Sequence, residues 1–245
     1  MFETFVVLVL AHVLGDFAFQ PAAIATRKHR LDVLAKHVGI HVGLTLFVVG
    51  APAVVPALVL GALHFAIDLI KARGFVDDEP RLYLFLSDQG AHLLSIWLVA
   101  SAFPTLWAQS IWPAVLPQGL AMELMPAIAV GAGAMLAFSG GRFFVQTLLE
   151  ELHLPQSTDD TLPKGGLWIG RIERLLVFTF VLLDQYVGIG ALIAAKSVLR
   201  FRAGDGVGSE ARRESEYVIV GTLASVSSAI AAGLATRAVL DGLAS

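Results

Sequence analysis

The chain has 245 residues, 56% of them hydrophobic and 15% charged, with a net charge of −3. Soluble domains carry about 25% charged residues, so the missing charge and the long apolar runs point to an integral membrane protein. The chain has no cysteine, which excludes disulfides and thiolate metal sites and leaves His, Asp and Glu as the side chains able to hold a metal.

A membrane helix needs roughly 17–25 mostly apolar residues. The first such run, 2–20, has no basic segment ahead of it and no small-x-small cleavage site after it, and its one early charge is Glu3. It is expected to be a retained helix, not a signal peptide. Further spans are expected at 32–50, 53–71, 82–103, 120–139, 167–185, 186–201 and 216–240. The segment 186–201 is short, which predicts a tilted or half-spanning helix after a tight turn near Asp184-Gln185. The segment 104–119 holds Trp107, Trp112 and three prolines but no charge, as an interfacial loop would. Residues 151–166 and 202–214 are polar loops. The expected fold is an all-α polytopic membrane helix bundle of about seven or eight transmembrane helices. Residues 1–103 would form a four-helix core, and 104–245 further helices with basic loops.

The basic residues orient the bundle. Of the 17 Lys and Arg, all but Arg237 fall on one set of connections and flanks. That set is expected to be cytoplasmic, which puts both termini on the other side.

Polar pairs interrupt the first four spans. They are His12 and Asp16, His37 and His41, His64 and Asp68, and Asp88 and His92. Each pair is spaced i,i+4, so both side chains share one helix face about 6 Å apart along the axis. Five of the seven histidines are used in this way. Counted from the cytoplasmic ends, Asp16, His37, Asp68 and Asp88 form a shallow layer, and His12, His41, His64 and His92 a deeper one. The orientation came from Lys and Arg alone, so this agreement in depth is independent of it. The interval from His12 to His64 equals that from Asp16 to Asp68, and the interval from His37 to Asp88 equals that from His41 to His92. The first two helices therefore read as a duplicated hairpin of the next two, with the site on their pseudo-twofold axis. Transporters also build sites at repeat interfaces, so the symmetry does not choose a function.

A lone intramembrane His or Asp often only hydrogen-bonds to a neighbouring helix. Four pairs at one depth favour a functional reading, because ionisable groups in lipid are costly. Imidazole and carboxylate without thiolate suit zinc first, with iron or manganese as alternatives. Eight donors over-supply one tetrahedral ion and suit one or two ions about 3.5–4 Å apart, with some donors orienting the others. A haem on two deep histidines would leave the aspartates without a role.

Around these pairs, Gln20, Lys36, Lys71 and Gln89 sit at or beyond the shallow layer, and Arg27-Lys28-His29-Arg30 follows on the first loop. His29 and His153 read as solvated loop histidines. Arg171, Arg174, Lys196 and Arg200 in the second half either set topology and touch headgroups or bind an anionic substrate by bidentate contacts. Glu173 is expected to pair with Arg174 or Lys196. The last helix is rich in Gly, Ala and Ser, which permits close packing within the monomer or across a homodimer.

The order LGDFAFQ, KHVGIH, HFAIDLIK and SDQGAH, then IGRIERLL, IAAKSVLRF and EYVIVGTL, resembles the bacterial membrane proteins of domain-of-unknown-function family 3307. The resemblance covers nearly the whole chain. It implies a multi-pass protein of the bacterial inner membrane and no activity. A vaguer similarity is to bacterial membrane proteins labelled metal-dependent hydrolases.

The residues favour an intramembrane metal-dependent hydrolase. His12, His37, His41, His64 and His92 with Asp16, Asp68 and Asp88 would hold metal, and one of the three carboxylates would act as base. The substrate would be an anionic membrane lipid or polyprenyl phosphate met at the cytoplasmic surface, and no nucleic-acid partner is expected. The alternatives are a divalent-metal transporter, a structural membrane subunit and a redox protein. Transport is disfavoured because the outer halves of the first four helices show no equivalent polar pairs.

Overall fold

The computed structural model describes residues 1–50, 53–74, 81–152, 165–201 and 209–244. Among these residues every regular element is a helix. In chain order they are α1 (Phe2–Val13), a π-helical turn (Leu14–Ala18), α2 (Ala22–Ala25), α3 (Leu31–Val49), α4 (Val54–Gly74), α5 (Arg81–Ala102) and α6 (Trp112–Val115). Then come α7 (Gln118–Met135), a second π-helical turn (Leu136–Gly140), α8 (Gly141–Glu151), α9 (Gly165–Leu182), α10 (Tyr186–Phe201) and α11 (Ser209–Ala244).

Among the described residues, five stretches are long and apolar enough to cross a membrane: Leu31–Val49, Val54–Arg73, Arg81–Ala102, Gln118–Glu151 and Ser215–Ala244. The expectation of about seven or eight spans counted three more, and each of those is helical. The straight part of α1 ends at Val13, where the π turn begins. α9 carries Arg171, Glu173 and Arg174. The apolar part of α10, Tyr186–Val198, falls short of the length needed. The fifth span runs past the expected end at 139, because the π turn carries the helix through the polar residues Arg142 and Gln146. Helix α11 begins at Ser209, ahead of the expected 216.

The helices are built inside out relative to those of a soluble protein. On α5 the buried positions include Asp88, His92 and Ser95, while Leu93, Leu94, Trp97 and Leu98 are exposed. On α3 the buried set includes His37, His41 and Thr45, while Phe47 is 70% exposed. An apolar outer face around a polar interior suits lipid, which cannot hydrogen-bond a side chain. The described chain is an all-α bundle whose long apolar helices are compatible with a membrane protein.

The chain forms two compact units. The first comprises Met1–Met135 with Val239–Ser245 and contains α1 to α7. There α1 packs on α3, α5 and α7, and α4 lies between α3 and α5. Val7, Leu8 and Ala11 meet Val49, Ile96 and Ala129 in an apolar core at the N-terminal half of α1. The segment expected as an interfacial loop joins this core. Trp107 is buried, its backbone N–H donates to Thr4 Oγ1 at 3.2 Å, and Trp112 Nε1 donates to Val48 O at 2.8 Å.

The second unit, Leu136–Ala238, contains the second π turn, α8 to α10 and most of α11. Its core is Val177, Val181, Ile189 and Ala229. Gly233 lets α11 approach α9, since a Cβ there would lie 2.7 Å from Val181. The tight turn expected at Asp184-Gln185 is present. Asp184 has φ 57°, a left-handed conformation that Asp tolerates, and it accepts a hydrogen bond from Arg237. That guanidinium holds the Asp184 carboxyl below its ordinary range.

Candidate metal centre

The eight polar side chains of α1, α3, α4 and α5 converge in the first unit, and all are buried. The π turn contributes to this. Phe19 N donates to Leu14 O at 2.8 Å, a five-residue step that widens the helix at Gly15-Asp16. Asp16 Oδ1 then lies 3.2 Å from His37 Nε2, 3.1 Å from His41 Nε2 and 3.7 Å from His64 Nε2. Gly15 makes room, because a Cβ there would sit 2.3 Å from His41 Cε1.

Five short separations link Asp16 Oδ1, His37 Nε2, His64 Nε2 and Asp68 Oδ2. Besides the two Asp16 distances, His37 to His64 is 3.1 Å, His37 to Asp68 is 3.5 Å and His64 to Asp68 is 3.4 Å. A tetrahedral ion with ligands at about 2.0–2.2 Å separates its donors by about 3.3–3.6 Å. These five separations lie close to the span that a zinc-like ion imposes, and the donors that all lie within 4.8 Å of one another form two overlapping groups here: His12, Asp16, His41 and His64, and His37, His64 and Asp68. A further group uses the other oxygen of Asp68. His92 Nε2 lies 3.7 Å from Asp68 Oδ1 and 3.6 Å from Asp88 Oδ1. Asp68 therefore faces both groups, as a bridging carboxylate does. Nε2 and Nδ1 of His92, Nδ1 of His37 and Oδ1 of Asp88 are buried with no hydrogen-bond partner. Such orphaned donors and acceptors are costly unless something satisfies them. The donor set, its spacing and its orphaned atoms all fit a dication.

The two expected layers have different neighbours. His12, His41, His64 and His92 line a cavity of about 20 Å³, room for about one water molecule. Thr45, Ser95 and apolar side chains close its other side. The aspartates instead meet cations and an amide. Lys28 Nζ donates to Asp68 Oδ2 at 2.8 Å, and Lys71 Nζ donates to Asp88 Oδ2 at 2.9 Å. Gln89 Nε2 donates to Asp16 Oδ2 at 3.0 Å and to Asp88 Oδ2 at 3.2 Å, while its Oε1 lies 3.4 Å from His12 Nε2.

Of the surrounding residues expected from the sequence, Lys71 and Gln89 are at the site. Gln20 is half-buried and Lys36 exposed, and neither bonds to the eight. Sequence reasoning missed Lys28 as a site residue. Its loop reads as a topology signal, and the one available clue was charge, since three buried aspartates need cations nearby. His29 is exposed, as expected, and His153 lies outside the described residues.

Arg171, Arg174 and Lys196 belong to the second unit, and the side chain of Arg200 lies outside the described residues. Arg174 is buried with its N–H groups occupied. Nε donates to Ala137 O at 2.9 Å, Nη2 to Phe138 O at 3.2 Å and Nη1 to Ser225 Oγ at 3.2 Å. Lys196 Nζ donates to Glu173 at 2.6 Å, one of the two expected pairings. Arg171 makes neither kind of contact and lies over Phe138 and Trp168.

Residues 4–117 match the family model described as "Protein of unknown function (DUF3307)". The match takes in all eight converging side chains and Lys28, Lys71 and Gln89. The match includes the motifs LGDFAFQ, KHVGIH, HFAIDLIK and SDQGAH and ends before IGRIERLL, IAAKSVLRF and EYVIVGTL, so it supports the resemblance over 4–117 and not over nearly the whole chain. No curated protein and no solved structure matches the chain.

Proposed function

We propose that this chain, whose residues 4–117 match an uncharacterised family, is a metal-dependent hydrolase of a bacterial inner membrane, acting on an anionic, lipid-like substrate at the cytoplasmic side. The carrying observation is the set of five donor-to-donor distances of 3.1–3.7 Å that link Asp16 and Asp68 to His37 and His64, and these two histidines to each other. Zinc suits the set best, with iron or manganese as alternatives. Asp16, His37, His64 and Asp68 would hold one ion, Asp68 and His92 would hold a second, and His12 and His41 would fix Asp16 in place.

A dication there supplies Lewis acidity toward a phosphoryl or acyl oxygen together with an activated water. The chain's own groups do the rest. Asp88 Oδ1, buried without a partner, is the carboxylate free to take a proton. Lys71 and Lys28 stand on the aspartate side, where they receive the negative charge of the substrate. Gln89 links Asp16 to Asp88 and keeps both in register. The exposed apolar faces of α3 to α5 keep the site within reach of an amphiphile in the bilayer.

A second reading, a divalent-metal transporter, draws on the cavity beyond the deep histidines. Thr45 and Ser95 line it, so the polar path extends one step further than the sequence pairs suggest.

The experiment compares wild type, His64→Ala/His92→Ala and Asp88→Asn after metal reconstitution. Wild type is expected to hold about one or two transition ions per chain, and the double variant to lose most of them. Asp88→Asn is expected to keep part of the metal and to lose about 10²–10⁴-fold in turnover of lipid or polyprenyl phosphates. Equal, negligible metal in wild type and double variant sinks the metal reading. Zinc or manganese uptake into vesicles with no hydrolysis on the panel replaces the hydrolase by the transporter.

A further inference from the structure

The second unit holds two arginines for which its described side chains supply no carboxylate partner. Four of its basic side chains are Arg142, Arg171, Arg174 and Lys196, and Lys196 holds Glu173 at 2.6 Å. Arg174 is satisfied by two carbonyls and a serine. Arg142 and Arg171 remain, close enough for their charges to interact, and no carboxylate among the described residues pairs with either.

Arg171 is held in a defined pose. Its guanidinium lies 4.7 Å from the Phe138 ring centroid and 5.1 Å from that of Trp168. Two aromatic faces fix the plane of the guanidinium and leave its N–H edge for a partner. Its Nε is buried with no hydrogen-bond partner. Phe138 and Arg142 are four residues apart at the junction of the second π turn and α8, and the Arg142 guanidinium lies 5.9 Å from the Phe143 ring centroid. Trp168 is 52% exposed, as interfacial tryptophans at headgroup level are. Two unpaired guanidiniums at that level are costly without an anion.

We propose that Arg142 and Arg171 bind the phosphodiester of an anionic lipid headgroup, held bidentately by the free edge of Arg171 and closed by Arg142. This site lies within the second unit and does not depend on the metal reading. Its ligand is a resident lipid, which is not hydrolysed there.

The test uses the full-length protein in nanodiscs and mild detergent, with retained lipid counted by native mass spectrometry. The probes are phosphatidylglycerol, phosphatidylcholine and, as competitor, millimolar inorganic phosphate. Wild type is expected to retain phosphatidylglycerol over phosphatidylcholine. Arg142→Gln/Arg171→Gln is expected to lose at least about tenfold in that retention. Arg171→Lys keeps the charge but not the fork and is expected to fall in between. Metal content should not change in either variant, which separates this result from any failure of the centre in the first unit. Arg171→Lys also keeps the proposal falsifiable should the double variant fold poorly. Retention that is unchanged in the variants, or a lipid that inorganic phosphate displaces at equal concentration, overturns the proposal.

Discussion

The two π-helical turns put one backbone device to two uses. In the first unit Leu14–Ala18 carries Asp16 into a ring of imidazoles, and Gly15 gives His41 its place. In the second, Leu136–Gly140 offers the carbonyls of Ala137 and Phe138 to Arg174, and Gly141 gives that side chain its place, since a Cβ there would lie 2.8 Å from Arg174 Cδ. Both turns admit an ionisable side chain to an apolar interior. The difference lies in what is left over. Arg174 has its hydrogen bonds met by protein, so it reads as a structural strut. Around Asp16, Asp68 and Asp88 the donors crowd one another at 3.1–3.7 Å, with four buried atoms of His37, Asp88 and His92 unmet. Burial of charge is therefore not enough to mark a site, and the more informative question is whether the fold has already satisfied the buried group.

That comparison breaks most directly at Arg174 and Asp68. Arg174→Ala leaves two carbonyls and Ser225 without their donor, so it is expected to cost about 2–4 kcal/mol of stability with metal content per folded chain unchanged. Asp68→Asn is expected to do the reverse, losing most of the metal at a smaller cost in stability, because the amide oxygen would still accept from Lys28. Thermal unfolding and metal analysis on the same preparations separate the two. Metal loss from Arg174→Ala, in chains shown to be folded, would erase the distinction between strut and site.

The two glycines sharpen the comparison with a smaller expected effect. Gly15→Ala pushes on a stiff ring and is expected to lower metal affinity about tenfold or more, as displaced supporting residues commonly do. Gly141→Ala pushes on Arg174 and is expected to cost about 1–3 kcal/mol of stability with metal affinity retained. Gly39, where a Cβ would meet nothing within 4 Å, supplies the control. Calorimetric zinc titration of the three variants reads this directly. Equal affinity in Gly15→Ala and Gly39→Ala would mean that His41 does not help to hold the centre.

Much of this was legible in the sequence, for identifiable reasons. The i,i+4 spacing of His12 with Asp16 and of Asp88 with His92 puts a polar stripe on an apolar helix, and such a stripe in lipid has to face inward. The equal intervals between the hairpins then bring four stripes together. The π turns were not legible, because LGDFA and LAFSG carry no residue that forces a five-residue hydrogen-bond step. Everything that depends on those turns was missed with them, including the role of Gly15 and the satisfaction of Arg174 by freed carbonyls. Lys28 was missed because a loop lysine beside Arg27 and Arg30 looks like a topology signal. Its reach to Asp68 is set by the path of the loop, to which the pattern of apolar residues is blind.

Lys28 also supplies the smallest and most discriminating test. Its Nζ lies 2.8 Å from Asp68 Oδ2, the oxygen that His64 and His37 approach at 3.4 and 3.5 Å. An ammonium and a dication compete for that atom, since both draw on the same lone pairs and repel each other. Removing the ammonium therefore favours the ion. Lys28→Met, which keeps the apolar stem, is expected to raise zinc affinity about three- to tenfold, the scale of one charge-assisted contact that is partly solvated. Lys71→Met is expected to act more weakly, because Lys71 is 39% exposed against 18% for Lys28, and solvent screens its charge. Arg30→Met removes a pair with Asp32 in which both side chains are more than half exposed and should change nothing. In the second unit, removing Lys196 from Glu173 should leave zinc affinity where it was, which extends the contrast between the two regions to their lysines. Zinc titrations of the four variants at fixed pH and low salt give the ranking. A fall in affinity for Lys28→Met would show that the lysine braces Asp68 for the metal instead of competing with it, and would remove the shared oxygen from the argument.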